Sequence, residues 1–152
     1  MKLKNLKQIQ RIRESGIILA RTLQKLGEMI EPGLPLIDID AQCRALLKDA
    51  GARPAFLGYM GFPASLCVSV NEEVIHGIPG KRRLRDGDVV SLDLGVDLEG
   101  FISDSAATFP VGTVSREVEE LLRVTREALA NGIAAARAGG RAARRKRTLK
   151  PL

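Results

Sequence analysis

VVSLDLGVDLEGFISDSAATFPVG, residues 89–112, decides the fold. Val90, Leu92, Leu94 and Val96 alternate with Val89, Ser91, Asp93 and Gly95, the period-two pattern of a strand with one apolar and one polar face. Residues 97–100, Asp-Leu-Glu-Gly, carry a turn signal, and residues 101–111 return as a second strand. A four-residue loop at 97–100 places Asp93 directly opposite Asp104, with Cβ atoms about 4.5–5.5 Å apart. Like charges facing each other across a sheet are destabilising, so this placement asks for a shared proton or a cation. Ser91, Gly95, Ser103, Ser105 and Ala106 are small enough to leave room for a ligand. Carboxylate oxygens favour Mn, Mg, Fe, Co or Zn over Cu(I). Exposed aspartates on a strand are also common, and a one-residue shift of the loop separates this pair. On alternation alone, the metal site and the solvated pair both stand open.

Outward from the hairpin, the chain reads as helices and loops. Leu6, Ile9, Ile12, Ile17, Leu19, Leu23 and Leu26 recur mostly at three- and four-residue steps, predicting an amphipathic helix over 6–30 with a basic outer face. Pro32-Gly33 ends it. A second helix is expected from about 37 to 50, started near Asp38 or Asp40 and closed by Gly51. Residues 55–63 form a loop rich in Gly and aromatics, 66–70 a strand, and 71–80 a second loop holding His76, the one histidine of the chain. After the hairpin, Ser115 caps a helix reaching about residue 136. Leu121, Leu122, Val124, Leu129 and Ile133 are available there for burial. The order α, α, β, β-hairpin, α implies an α+β fold, an antiparallel sheet with helices packed on one face. The Val90–Val96 row then meets the helices, and the row with Asp93 faces a cleft or solvent.

Composition bounds the rest. With 152 residues, 45% of them hydrophobic, the chain suits one domain with a real core. The net charge of +6 resides in residues 139–152, which hold six basic residues and no acid, so the remainder is balanced. A domain over 1–138 followed by a disordered basic tail over 139–152 is expected. Such a tail binds phosphate weakly and with steep salt dependence, and no aromatics interleave it for base stacking. Cys43 and Cys67 lack a close-spaced metal pattern, the first residues are too polar for a signal peptide, and no apolar run approaches the roughly 18–20 residues of a membrane span. A reduced, cytoplasmic protein with no membrane partner follows as the expectation.

Three segments in order carry a family resemblance: IEPG at 30–33, LGYMGFPASLCVSVNEEVIHGIPG at 57–80, and the hairpin itself. Together they resemble type I methionine aminopeptidases, pita-bread metallopeptidases, with similarity running from about residue 7 to 138. The resemblance implies that Asp93 and Asp104, eleven positions apart as in the family, are metal ligands, with Asp104 bridging two ions. It implies two divalent ions per site (Co, Mn, Fe or Zn) and nascent polypeptide N-termini as substrates. His76 matches the histidine that hydrogen-bonds the substrate and steadies the tetrahedral intermediate; without the resemblance, a lone loop histidine reads as merely exposed. Tyr59, Phe62 and Cys67 match positions lining the methionine pocket, with Phe56 at its edge; by residue type alone they read as ordinary core. A thioether against aromatic edges contributes about 0.3–1.5 kcal/mol. Asn71 and Glu73 match loop positions whose backbone holds a monovalent cation.

The family's other ligands, a histidine and two glutamates, belong to a carboxy-terminal half with no counterpart here. The expectation is one half of a pseudo-symmetric pita-bread fold, inactive as a peptidase alone unless another chain supplies the second half. A non-catalytic pita-bread binding protein and a truncated gene product, its tail an out-of-frame reading, remain as alternatives. In each, the basic tail is free to contact ribosome or nucleic acid.

Overall fold

The computed structural model describes residues 3–138. The basic stretch 139–152 and its expected disorder lie outside the described residues. The chain divides into two compact units, Met1–Val114 and Ser115–Leu152.

In the first unit, helix α1 spans Leu6–Glu28 and opens with a capping box. The Asn5 side chain accepts from the Gln8 N–H, and the Gln8 side chain accepts from the Asn5 N–H. Helix α2 spans Leu36–Asp49, with Pro35 rather than Asp38 or Asp40 at its N-cap. No side chain caps it, because backbone carbonyls do that work. Leu36 N donates to Arg82 O and Ile37 N to Gly80 O, both at 2.9 Å. Asp40 is drawn inward instead, accepting from Ser65 N at 2.6 Å and pairing with Arg44 at 2.8 Å.

The strands are β1 (Arg53–Pro54), β2 (Leu66–Val70), β3 (Val89–Leu98) and β4 (Phe101–Pro110), all antiparallel to β3. β4 pairs with β3 along its whole length, while β2 takes Val90–Leu94 and β1 takes Val96 and Asp97. The hairpin corrects the expected register. Its loop is two residues, Glu99 and Gly100, not four, and both have positive φ, 52° and 84°. That is the twist-matched turn that lets two strands close tightly. Asp97 and Leu98 therefore continue the ladder, and Asp97 Oδ1 accepts from Gly100 N at 2.7 Å. The consequence is that Asp93 pairs with Ala106 and Asp104 with Gly95.

The apolar row turns as expected. Leu26 from α1 and Ile39 and Leu47 from α2 are fully buried in one cluster with Val68, Val70, Val90, Leu92, Leu94 and Val96. Ser15 of α1 bonds Val96 O at 3.0 Å and the Ser103 hydroxyl at 2.8 Å, tying the helix across β3 and β4. The fold is α+β, with α1 and α2 on one face of an antiparallel sheet.

The second unit is described by helix α3, Arg116–Ala135, capped by the Ser115 side chain as expected. Arg123 pairs with Glu120 and Glu127 on its own surface. Of the five apolar residues expected to be available for burial, Leu121, Leu129 and Ile133 are exposed. Periodicity marks which residues share a helix face; it carries no information on what covers that face. Among the described residues no helix is long and apolar enough to cross a membrane.

Candidate active site

The sheet face away from α1 and α2 carries the polar row. In register, Cys67 of β2 stands beside Asp93 of β3, and Ser69 beside Ser91. On the other side of β3, Asp104 stands beside Gly95, diagonal to Asp93 by one pair and on the same face. Diagonal neighbours lie about 7–8 Å apart at the backbone, within reach of carboxylate side chains. Burial first, then the charge and hydrogen bonding of Asp104, hold the Asp93 carboxyl above its ordinary value of 3.8, with His76 opposing. Burial, with Asp93 and Asp104 adding to it, pushes the Cys67 thiol up to about 11. Burial and the neighbouring carboxylates together disfavour ionisation on this face.

Two loops wall this face. Residues 55–63 bend through left-handed backbone at Gly58, Met60 and Gly61, with φ of 81°, 49° and 83°. Phe56 lies on Gly95 so closely that a Cβ there would stand 2.5 Å from its ring. Residues 71–80 are tied to β2 at both ends. At the start, Asn71 has φ 57°; its side chain accepts from Val89 N and donates to Asp88. Glu73 accepts from Val70 N at 2.9 Å and pairs with Arg82. Further along, His76 itself has φ 61°, a left-handed conformation that is uncommon for a residue with a Cβ.

Between these loops and the sheet lies a cavity of about 600 Å³. It brings together Phe56, Tyr59, Phe62, Cys67, His76, Asp93 and Asp104. Tyr59 is 69% exposed, so its ring stands at the mouth. Asn71 and Glu73 do not line the cavity, and their side chains are committed to the loop bonds just described. Met60, Gly61, Pro63 and Ile78 also line it and escaped the residue-by-residue reading. All four lie within segment 57–80, so the segment that carried the resemblance also contained them. Two carboxylates side by side on the cavity floor have the oxygen chemistry of a divalent cation site. Among the described residues no group of three or more His, Cys, Asp or Glu is arranged to hold a metal. Asp93 and Asp104 thus fit as part of a ligand set.

A sequence profile of metallopeptidase family M24 matches residues 10–147. The chain belongs to that family. It is 49% identical over 131 residues to a methionine aminopeptidase of Clostridium perfringens, an alignment covering 86% of this chain and 53% of the relative. Against methionine aminopeptidase 1 of Bacillus subtilis it is 47% identical over 130 residues, covering 86% and 52%. The crystal structure of a methionine aminopeptidase from Thermotoga maritima superposes with a TM-score of 0.85 at 36% identity, covering 88% of this chain and 54% of that one. The M24 chain described here spans about half the length of the curated relatives it matches. A prolidase from Pyrococcus furiosus, 21% identical with a TM-score of 0.73, shares the fold.

Proposed function

We propose that this M24 chain carries the substrate half of a methionine aminopeptidase site, taking the N-terminal methionine of nascent polypeptides. The observation that carries this reading is the single cavity in which three aromatic rings and a thiol adjoin His76 and two carboxylates. Phe56, Tyr59 and Phe62 offer ring edges to a methionine thioether, worth about 0.3–1.5 kcal/mol per contact. His76 would donate or accept a hydrogen bond at the first peptide group. Asp93 and Asp104 would hold divalent metal, two ions by family resemblance and of the Co, Mn, Fe or Zn type, with Asp104 the bridging ligand. When bound, metal supplies an activated water and polarises the scissile carbonyl. The backbone near Asn71 and Glu73 would hold a monovalent cation.

The remaining ligands would come from a second half-domain, supplied by another polypeptide. The working compartment is the cytoplasm, and the basic stretch 139–152 would contact the ribosome. The test is release of Met from a Met-Ala-Ser peptide with Mn(II) or Co(II) present. The chain by itself should release little or none. Release at a relative's rate, abolished by Asp104→Ala, would overturn the need for a second half. Calorimetric titration with Mn(II) should show weak binding that Asp93→Asn removes; no binding at all would favour a non-catalytic binding protein.

A further inference from the structure

We propose that Ser69 is a positioning residue for His76, acting through the peptide that joins His76 to Gly77. This inference rests on reading the cavity as the methionine site.

Gly77 is seated directly on β2. A Cβ on it would stand 2.2 Å from the Val68 carbonyl oxygen and 2.9 Å from the Ser69 Cα, so only glycine fits. Both backbone groups of Gly77 are captured there. Its carbonyl accepts from Val68 N at 2.9 Å, and its N–H donates to the Ser69 hydroxyl at 3.1 Å. The first bond is ordinary strand-edge pairing; the second replaces a backbone acceptor with a side chain. Ser69 is 4% exposed and shares the polar face of the sheet with Cys67 and Asp93.

The peptide unit is planar, so fixing the Gly77 N–H also fixes the His76 carbonyl on the other side of the same plane. The loop before His76 is fixed independently, by Glu73 on Val70 and Asn71 on Val89. With both sides held, the backbone at His76 must close the remaining arc. It does so in the left-handed region, φ 61°, with the imidazole lining the cavity. Such conformations persist only where the surroundings over-determine them. Without the hydroxyl, the half-buried Gly77 N–H loses its partner and the His76–Gly77 peptide is free to turn.

The chain has one histidine, so its imidazole Cε1–H gives one NMR signal that needs no assignment among histidines. The full chain would be labelled and titrated with L-methionine, comparing wild type with Ser69→Ala, Ser69→Val and Ser69→Thr. Wild type and Ser69→Thr should share one imidazole position that methionine moves. Ser69→Ala and Ser69→Val should shift that signal towards free histidine before methionine is added and weaken methionine binding several-fold, up to about tenfold, the effect of one half-buried hydrogen bond. Amide signals away from the substituted residue, its strand neighbours around 67–70 and 90–92, and residues 71–80 should stay in place. Unchanged imidazole signals in both hydroxyl-free variants would overturn the proposal. Loss of folding in both would overturn it too, since the hydroxyl would then hold the fold rather than the histidine. A wild-type imidazole that ignores methionine would defeat the methionine reading instead, while the methionine-free shift still decides the role of Ser69.

Discussion

Asp104 pairs with Gly95 across the β3–β4 hairpin, which sets its carboxylate on the diagonal from Asp93. The diagonal lets two like charges share a face without a direct cross-strand clash, and puts Gly95 opposite Asp104, where the Phe56 ring covers it. Repulsion survives in part, since Asp104 helps hold Asp93 above the ordinary carboxylate range. In metal-free buffer near pH 7, Asp104→Asn should therefore raise stability by about 0.5 kcal/mol, inside the roughly 0.2–1 kcal/mol of cross-strand pairs. Urea unfolding in the presence of a chelator checks this. Added Mn(II) should raise the melting temperature of wild type and leave the variant unmoved. A variant less stable than wild type without metal would mean the two carboxylates attract through a shared proton.

Gly95 and Phe56 make a second pairing with a sign that can be tested. Ala at position 95 places a Cβ 2.5 Å from the Phe56 ring and 3.1 Å from Ala55 Cβ. The ring must move, at a cost of about 1–3 kcal/mol for overpacking. Gly95→Ala should also weaken methionine binding, because Phe56 is one wall of the cavity. Phe56→Leu should recover part of the stability in the double variant, and a double-mutant cycle by urea unfolding would read the coupling. Additive effects would show that the two residues do not collide.

Much of this arrangement was legible in residues 57–112, and the part that was not has definite causes. Alternation identified β3, its buried row and its polar row, because period two is a direct consequence of strand geometry. The register was misread because Leu98-Glu99-Gly100 carries no Asn-Gly or Asp-Gly signature, and Glu99 accepts positive φ although few residues of its type do. Asp97 looked like a loop residue because its side chain does serve the turn, from the last but one pair of the ladder rather than from the loop. β1 is two residues long and has no pattern to read. The cavity is built by loops with five left-handed residues, Gly58, Met60, Gly61, Asn71 and His76, and periodicity cannot place such backbone. The residues that line it were reached through the motif segments instead.

Two glycines of α1 predict opposite outcomes for one substitution. Gly16 has nothing within 4 Å of an added Cβ, whereas at Gly27 that atom would lie 2.2 Å from the Phe109 ring. Gly16→Ala should stabilise by about 0.5–1 kcal/mol through reduced backbone entropy in a helix. Gly27→Ala gains the same helix preference but must push Phe109 off the helix, for a net loss of about 1–2 kcal/mol. Thermal unfolding of the two variants side by side is sufficient. Equal shifts would show that α1 stands further from β4 than this packing requires.

Asp88 supplies the acid limb of stability. Burial alone would raise its carboxyl, but hydrogen bonds from the Asn71 side chain and the Arg85 N–H, with the charges of Arg82 and Arg85, outweigh it and hold it below 3.8. A carboxyl depressed in the folded state contributes stability that is present above the unfolded value and lost as pH falls through the folded one. Asp88→Asn should therefore destabilise the chain at pH 7. The gap between variant and wild type should hold down to about pH 4 and close below it, as the wild-type carboxylate is protonated. Because Asn71 bridges Asp88 to the loop bearing His76, the same variant should raise amide exchange across residues 71–80. A stability gap that persists unchanged at pH 2.5 would assign the loss to side-chain shape and remove the charge from the account.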